Sequence, residues 1–183
     1  MVIKQFRPNR NIKSARQFEQ FIEPHLPHLY QLAYRFCNNQ ADAEDLVQDV
    51  VIKLLSKKDE MSRIEKLRPW LAKILYHQFV DLYRQKERSA LGLVTEDENL
   101  LSELVASQQD SDPEHHMEMD IHQRHLQHAM QSLNEDQRTV ILLHDVEGYT
   151  LTELEGILEC PLGTLKSRLN RARQYLREKL QKI

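Results

Sequence analysis

Four cations fall within eight residues near the end of the chain: Lys166, Arg168, Arg171 and Arg173. They are interleaved with Ser167 and Asn170 and preceded by the small residues Gly163 and Thr164. Guanidinium forks fit phosphate oxygens and the O6/N7 edge of guanine, and small side chains let a helix come close to a nucleic-acid backbone. The chemistry on offer is recognition by charge and hydrogen bonding, not bond making.

Those groups need an element that aims them. Leu162, Leu165, Leu169, Ala172 and Leu176 recur at spacings of three and four, which predicts a helix with this face buried. Gly163, Lys166, Ser167, Asn170 and Arg171 then share the opposite face, flanked by Arg168 and Arg173. Upstream, Asn134 and Gln137 predict a cap for "EDQRTVILLHDVEG", which Gly148 ends. Thr150 and Glu153 form a T-x-x-E capping box for the short helix "LTELEGIL", and Pro161 marks the next start. A short helix, a tight turn and a longer helix whose exposed half is rich in Lys, Arg, Ser and Asn is a helix-turn-helix, whose second helix enters the major groove of duplex DNA.

The rest of the chain predicts helices too. Four glycines in 183 residues, no hairpin signal and apolar spacings of three and four imply an all-α fold. Ser14 and Gln17 suggest a first cap, Pro24 and Pro27 an interruption, and Leu29, Tyr30, Ala33, Tyr34 and Cys37 a resumed helix. In "DAEDLVQDVVIKLL" the stripe Ala43, Leu46, Val47, Val50, Val51, Leu54 and Leu55 is expected to be core, with Asp45, Gln48 and Asp49 on other faces. Pro69 is expected at the first position of a helix in which Leu71, Ile74, Leu75, Gln78 and Leu82 share a face. Residues 91–112 are polar and acidic without a sustained period, which makes them a linker. After it, Asp112 and Pro113 open a helix burying Ile121, Leu126, Ala129, Met130 and Leu133. Two small helical domains result, at 14–90 and 113–183, joined by the acidic linker.

Charge is segregated in the same way. The formal net charge is only −3, yet residues 91–136 carry −10 and residues 166–183 carry seven basic side chains against one acid. Bulk charge therefore says little about whether one end meets a polyanion. No apolar run approaches the roughly 20 residues of a membrane span, and no secretory signal opens the chain, so a cytoplasmic protein without membrane insertion is expected. Cys37 and Cys160 stand far apart, outside any C-x-x-C, and suit a reducing compartment. His122, His125 and His128 step by three without H-E-x-x-H or a Cys/His pairing, so no metal and no cofactor are expected. Phosphate-loop and nucleophile-elbow motifs are also missing, which leaves no catalytic residue and no enzyme reading.

Three stretches in order resemble one family. "YTLTELEGILECPLGTLKSRLNRAR" resembles the fourth conserved region of bacterial RNA polymerase sigma factors of the extracytoplasmic-function (ECF) group. "QADAEDLVQDVVIKLL" and "RPWLAKILYHQFVDLYRQKER" resemble that family's second region. The resemblance covers roughly residues 20–90 and 113–180. It implies promoter-specific transcription initiation, with core RNA polymerase, promoter DNA and an anti-sigma factor as partners. By position it implies core-polymerase binding by Asp45, Leu46, Gln48 and Asp49. It implies single-stranded minus-10 recognition by Lys66, Arg68, Trp70, Lys73, Tyr76, His77, Arg84 and Arg88, a task suited to stacking rings and backbone-tracking cations. For the duplex minus-35 element it implies Gly163, Thr164, Lys166, Ser167, Asn170 and Arg171, with Arg168 and Arg173 toward phosphates.

Three residues depart from the family pattern. His77 stands where Asn is usual, and Trp70 is as readily a core residue as a base contact. Glu159 replaces the turn glycine, so a left-handed backbone there would be strained by about 1 kcal/mol. Glu155 replaces a small alanine and is expected either to point outward or to loosen the unit. Two other readings compete. A stand-alone helix-turn-helix repressor would bind duplex DNA without polymerase but would not need the second domain, and an adaptor that only sequesters an anti-sigma protein would not need the terminal cations.

Overall fold

The computed structural model describes residues 15–93 and 121–181, and every regular element in those segments is a helix. They fall in two units that divide between Ser89 and Ala90.

In the first unit, α1 (Ala15–Ile22) ends in a short 3₁₀ turn, Glu23–His25, because Pro24 and Pro27 lack the amide hydrogens a continuous helix would use. Helix α2 (Leu26–Cys37) stops at Asn38, whose left-handed backbone (φ 52°) returns its amide to the Tyr34 carbonyl at 2.7 Å. Asn39 then caps α3 (Gln40–Ser56), accepting from the Asp42 amide at 3.0 Å. A single turn, α4 (Lys58–Met61), leads to the long α5 (Leu67–Leu93). Leu29, Leu32, Ala33, Ala43, Leu46, Val50, Leu54, Met61, Leu71, Ala72 and Leu75 are essentially inaccessible and form the core between α2, α3 and α5.

The stripe read from the sequence is narrower in the fold. Leu55 is 45% exposed and Tyr34 41%, while Leu32 takes the inward position in α2. The expected Pro69 start is corrected as well: α5 begins at Leu67, so Pro69 is its third residue, still within the turn where no amide is required. Helix α5 also continues through Leu93, past the expected start of the linker. The Ser14 cap, residues 94–112 of the expected linker and the helix start at Asp112 and Pro113 lie outside the described residues.

In the second unit, α6 (Ile121–Gln131) ends against Arg138. The guanidinium donates to the carbonyls of Met130 (3.1 Å), Gln131 (2.7 Å) and Leu133 (2.9 Å), placing positive charge at the helix C-terminus. Asn134 caps α7 (Glu135–Ile141) by accepting from the Gln137 amide at 2.9 Å. A π turn, Leu142–Val146, widens the end of α7, and Gly148 at φ 76° reverses the chain. Helices α8 (Leu151–Leu158) and α9 (Leu162–Leu180) follow. Val140, Leu143, Tyr149, Leu154, Ile157, Leu165, Leu169 and Ala172 form this core. At roughly 1.5–3 kcal/mol for each large apolar side chain, that burial holds α9 against α7 and α8. Leu126, expected inward, is 45% exposed, whereas Ala129 and Leu133 are buried.

Candidate nucleic-acid interface

Thr150 and Glu153 make both halves of the capping box: the threonine oxygen accepts from the Glu153 amide (3.2 Å), and the carboxylate accepts from the Thr150 amide (3.0 Å). Helix α8 ends at Glu159, which adopts φ 51°, ψ 41°. The turn therefore does require the left-handed backbone, and a residue bearing a Cβ occupies it. Glu159→Gly is expected to raise the stability of this unit by about 0.5–1 kcal/mol, the relief of strain being partly offset by glycine entropy. Thermal unfolding of the two proteins measures it, and an unchanged or lower melting temperature would refute the strain.

Pro161 occupies the cap position of α9 and offers no side-chain acceptor. Glu155 reaches across the turn instead and accepts from the Leu162 amide at 3.2 Å. The acid in the place of alanine thus points outward and satisfies an orphan donor of the following helix.

On α9, Leu165, Leu169 and Ala172 are buried, and Gly163, Thr164, Lys166, Ser167, Asn170 and Arg171 are exposed, as the periodicity predicts. Ser167 donates its hydroxyl to the Thr164 carbonyl (3.2 Å), keeping lone pairs outward. Among the described residues, neither Lys166 nor Arg171 is in an ion pair. Their charge is uncompensated on the face where a groove would lie.

The flanking arginines are differently placed. Arg168 pairs with Asp136 at 2.5 Å and donates to the Cys160 sulfur at 3.6 Å. Arg173 holds Asp145 bidentately, with Nε to Oδ2 at 3.0 Å and Nη2 to Oδ1 at 2.5 Å. This fork lowers the pKa of Asp145, chiefly through its hydrogen bonds, and raises that of Arg173. Because the folded-state value is depressed, the contribution of Asp145 to stability is present above its unfolded value, near 3.9, and is lost as pH falls through the lower folded value. Wild type and Asp145→Asn should accordingly differ in melting temperature at neutral pH and converge in strong acid; a difference that does not shrink as pH falls would refute the linkage.

In the first unit, rings gather on α5. Tyr76 tilts against Phe36 (5.8 Å between centroids), Phe79 stacks on Phe36 (5.1 Å), and Tyr83 follows Phe79 (6.1 Å) and is 37% exposed. His77 meets Tyr76 edge-on at 5.7 Å. The sequence reading missed Phe36, Phe79 and Tyr83, although Tyr76, Phe79 and Tyr83 at i, i+3 and i+7 carry the signal of one stripe. Trp70 is half-buried and donates to Glu60 at 3.4 Å, so it is neither wholly core nor freely presented. Arg68 is exposed and donates to His28 Nε2 at 3.3 Å; burial first and Arg68 second lower the pKa of that imidazole. Lys66 and Arg84 are exposed, Lys73 is half-buried, and the Arg88 side chain lies outside the described residues.

Helix α3 presents Asp45 and Gln48 to solvent and Asp49 half-buried. Leu46 is fully buried, which corrects its assignment as a partner contact: no surface atom remains to touch anything. Ile52, 69% exposed, joins Asp45, Gln48 and Asp49 on one face at i, i+3, i+4 and i+7. Gln78 of α5 braces this face by donating to Asp49 (3.4 Å) and accepting from Lys53 (3.1 Å). Among the described residues no group of His, Cys, Asp and Glu has the geometry to hold a metal ion, and no helix is long and apolar enough to cross a membrane. Burial pushes the Cys37 thiol up to about 11, which makes it a packing residue.

Comparison with known proteins gives the same two-part division. Residues 21–89 match the model of sigma-70 region 2, and residues 123–176 match that of sigma-70 region 4. The ECF RNA polymerase sigma factor SigE of Mycolicibacterium smegmatis is 31% identical over 90% of this chain, which spans 62% of that protein's length. The ECF RNA polymerase sigma-E factor of Escherichia coli is 30% identical over 78% of this chain and 75% of its own. The sigma factor RpoE of Bartonella quintana, solved in complex with the anti-sigma factor NepR, superposes with a TM-score of 0.69 at 29% identity, covering 91% of this chain and 98% of that one. Two ordered helical units, a helix-turn-helix with an open cationic face and relatives matched across both units lead to one conclusion: this chain belongs to the ECF group of the sigma-70 family of RNA polymerase sigma factors.

Proposed function

We propose that this chain binds core RNA polymerase and directs it to promoters carrying a particular pair of elements. The observation that carries the reading is the division of α9 into a buried Leu165/Leu169/Ala172 ridge and an exposed face holding uncompensated Lys166 and Arg171. That face reads the minus-35 element as duplex, with Lys166, Ser167, Asn170 and Arg171 toward base edges. The α5 face with Tyr76, His77 and the neighbouring rings takes the minus-10 segment as single strand, assisted by Lys66, Arg68, Lys73, Arg84 and Arg88. The polymerase grips Asp45, Gln48, Asp49 and Ile52. Catalysis belongs to the polymerase, and the work is done in the cytoplasm where polymerase and DNA are.

The functional domains on this reading are 14–90 and 113–183, with 91–112 between them. Two weak contacts on one enzyme act together through effective concentration, so promoter affinity comes from the assembly. The RpoE relative bound to NepR supports an anti-sigma factor as the controlling partner here. Transcription in vitro with purified core polymerase on genomic fragments tests the reading. Discrete start sites that require this chain are expected; specific duplex binding by the chain alone, with no stimulation of polymerase, would sink it.

A further inference from the structure

The groups of the second unit best suited to phosphate are already occupied by carboxylates of the same chain. Asp136 neutralises Arg168, Asp145 neutralises Arg173, and Glu155 sits on the first amide of α9, where a helix N-terminus otherwise attracts a phosphate. The three acids come from three places, namely the first turn of α7, the π turn and the last half of α8. On the helical wheel Arg168 and Arg173 lie on opposite sides of the buried ridge, so the carboxylates border the reading face on both flanks and at its N-terminal end. Lys166, Asn170 and Arg171 remain open at its centre.

Sequence-independent DNA binding is almost wholly a matter of cations meeting phosphates, whereas base contacts require the right element. From this geometry we infer that Asp136, Asp145 and Glu155 stand in for DNA phosphates, suppressing binding of the free protein to duplex of any sequence and leaving it available to polymerase. The inference rests on the reading of α9 as a duplex reader. A phosphate approaching Arg168, Arg173 or the Leu162 amide must displace a carboxylate or lie beside one. Binding then becomes efficient only when polymerase supplies the effective concentration that charge alone does not.

The test uses the full chain and a 30-base-pair duplex without promoter elements, with anisotropy read across a salt series. The variant Asp136→Asn/Asp145→Asn/Glu155→Gln keeps shape and removes charge. About a tenfold or greater rise in affinity near 0.1 M salt is expected, with a salt dependence steeper by about two to three phosphate contacts. Neutralising Glu19, Glu44 and Glu65, which are exposed on the first unit, controls for bulk charge and should not reproduce that slope. Unchanged or weaker binding by the triple variant, or an equal gain in the control, overturns the inference. The single variant Glu155→Gln carries the same expectation in smaller measure should the triple variant fold poorly.

Adding Lys166→Ala and Arg171→Ala separates this inference from the reading beneath it. If those changes reduce DNA binding by the wild type while the triple variant shows no gain, only the phosphate-mimic inference falls. If the triple variant gains affinity that survives Arg168→Ala and Arg173→Ala as well as Lys166→Ala and Arg171→Ala, the binding does not pass through the cations of α9, and both the inference and the reading of that helix fall.

Discussion

Leu46→Ala is expected to destabilise the first unit by about 2–5 kcal/mol, because it removes a fully buried side chain between tightly packed helices and leaves a cavity. Its neighbours should behave in the opposite way. Ile52→Ala and Asp45→Ala remove exposed groups and should leave the melting temperature within the range of ordinary surface changes, about 0.5 kcal/mol, while weakening the complex with core polymerase. Denaturant unfolding paired with a polymerase competition assay separates the two effects. If Leu46→Ala left stability intact and weakened only polymerase binding, the burial of that side chain would be wrong. If Ile52→Ala left polymerase affinity unchanged, α3 would not dock through this face.

The contrast between Leu46 and Ile52 also marks where sequence reading stops. Helical periodicity predicted a stripe of Ala43, Leu46, Val47, Val50, Val51, Leu54 and Leu55, of which Ala43, Leu46, Val50 and Leu54 are the buried core of α3. A run as apolar as "LVQDVVIKLL" carries more hydrophobic residues than one face can bury, so periodicity left Ile52 off the stripe but did not mark Leu55 as surplus. Resemblance supplied a block of positions for polymerase contact, and a block does not know that Leu46 points inward while its neighbours point out. Local signals did better. The Thr150/Glu153 capping box, the Asn134 cap, Gly148 and Pro161 each act through their own backbone, and each occurs where the sequence placed it. The left-handed turn at Glu159 was raised only as a condition, through the glycine usual in the family, because a glutamate carries no local signal for positive φ.

Contacts between distant residues were not legible. Nothing in the spacing of Arg168 and Arg173 announces Asp136 and Asp145, which lie 32 and 28 positions away and meet them only after α7 and α9 pack. Glu155 could be expected to point outward, but its bond to the Leu162 amide depends on the particular course of the turn. The aromatic stripe of α5 was open to inspection through Tyr76, Phe79 and Tyr83, yet its partner Phe36 belongs to another helix. Sequence pattern therefore located the helix with the exposed cationic face and did not show which of its charges are paired within the chain.

That count decides the second large effect. Arg171 is exposed and without an ion pair among the described residues, whereas Arg173, two positions on, spends two hydrogen bonds on Asp145. If Arg171 makes a bidentate contact with a guanine edge, Arg171→Ala should cost about 1–3 kcal/mol of promoter discrimination, roughly a fivefold to 150-fold loss concentrated on promoters that carry the minus-35 element. Arg173→Ala should be milder on those promoters and should also lower thermal stability slightly, since it removes the two hydrogen bonds that Arg173 donates to Asp145. Transcription from matched templates with the minus-35 element intact or scrambled, driven by each variant with saturating core polymerase, distinguishes them. Equal loss on both templates for Arg171→Ala would remove it from base reading and make it a phosphate contact or a structural residue. A larger template-specific loss for Arg173→Ala than for Arg171→Ala would mean that the Asp145 pair opens on DNA and that the flank, not the centre, of α9 reads the sequence.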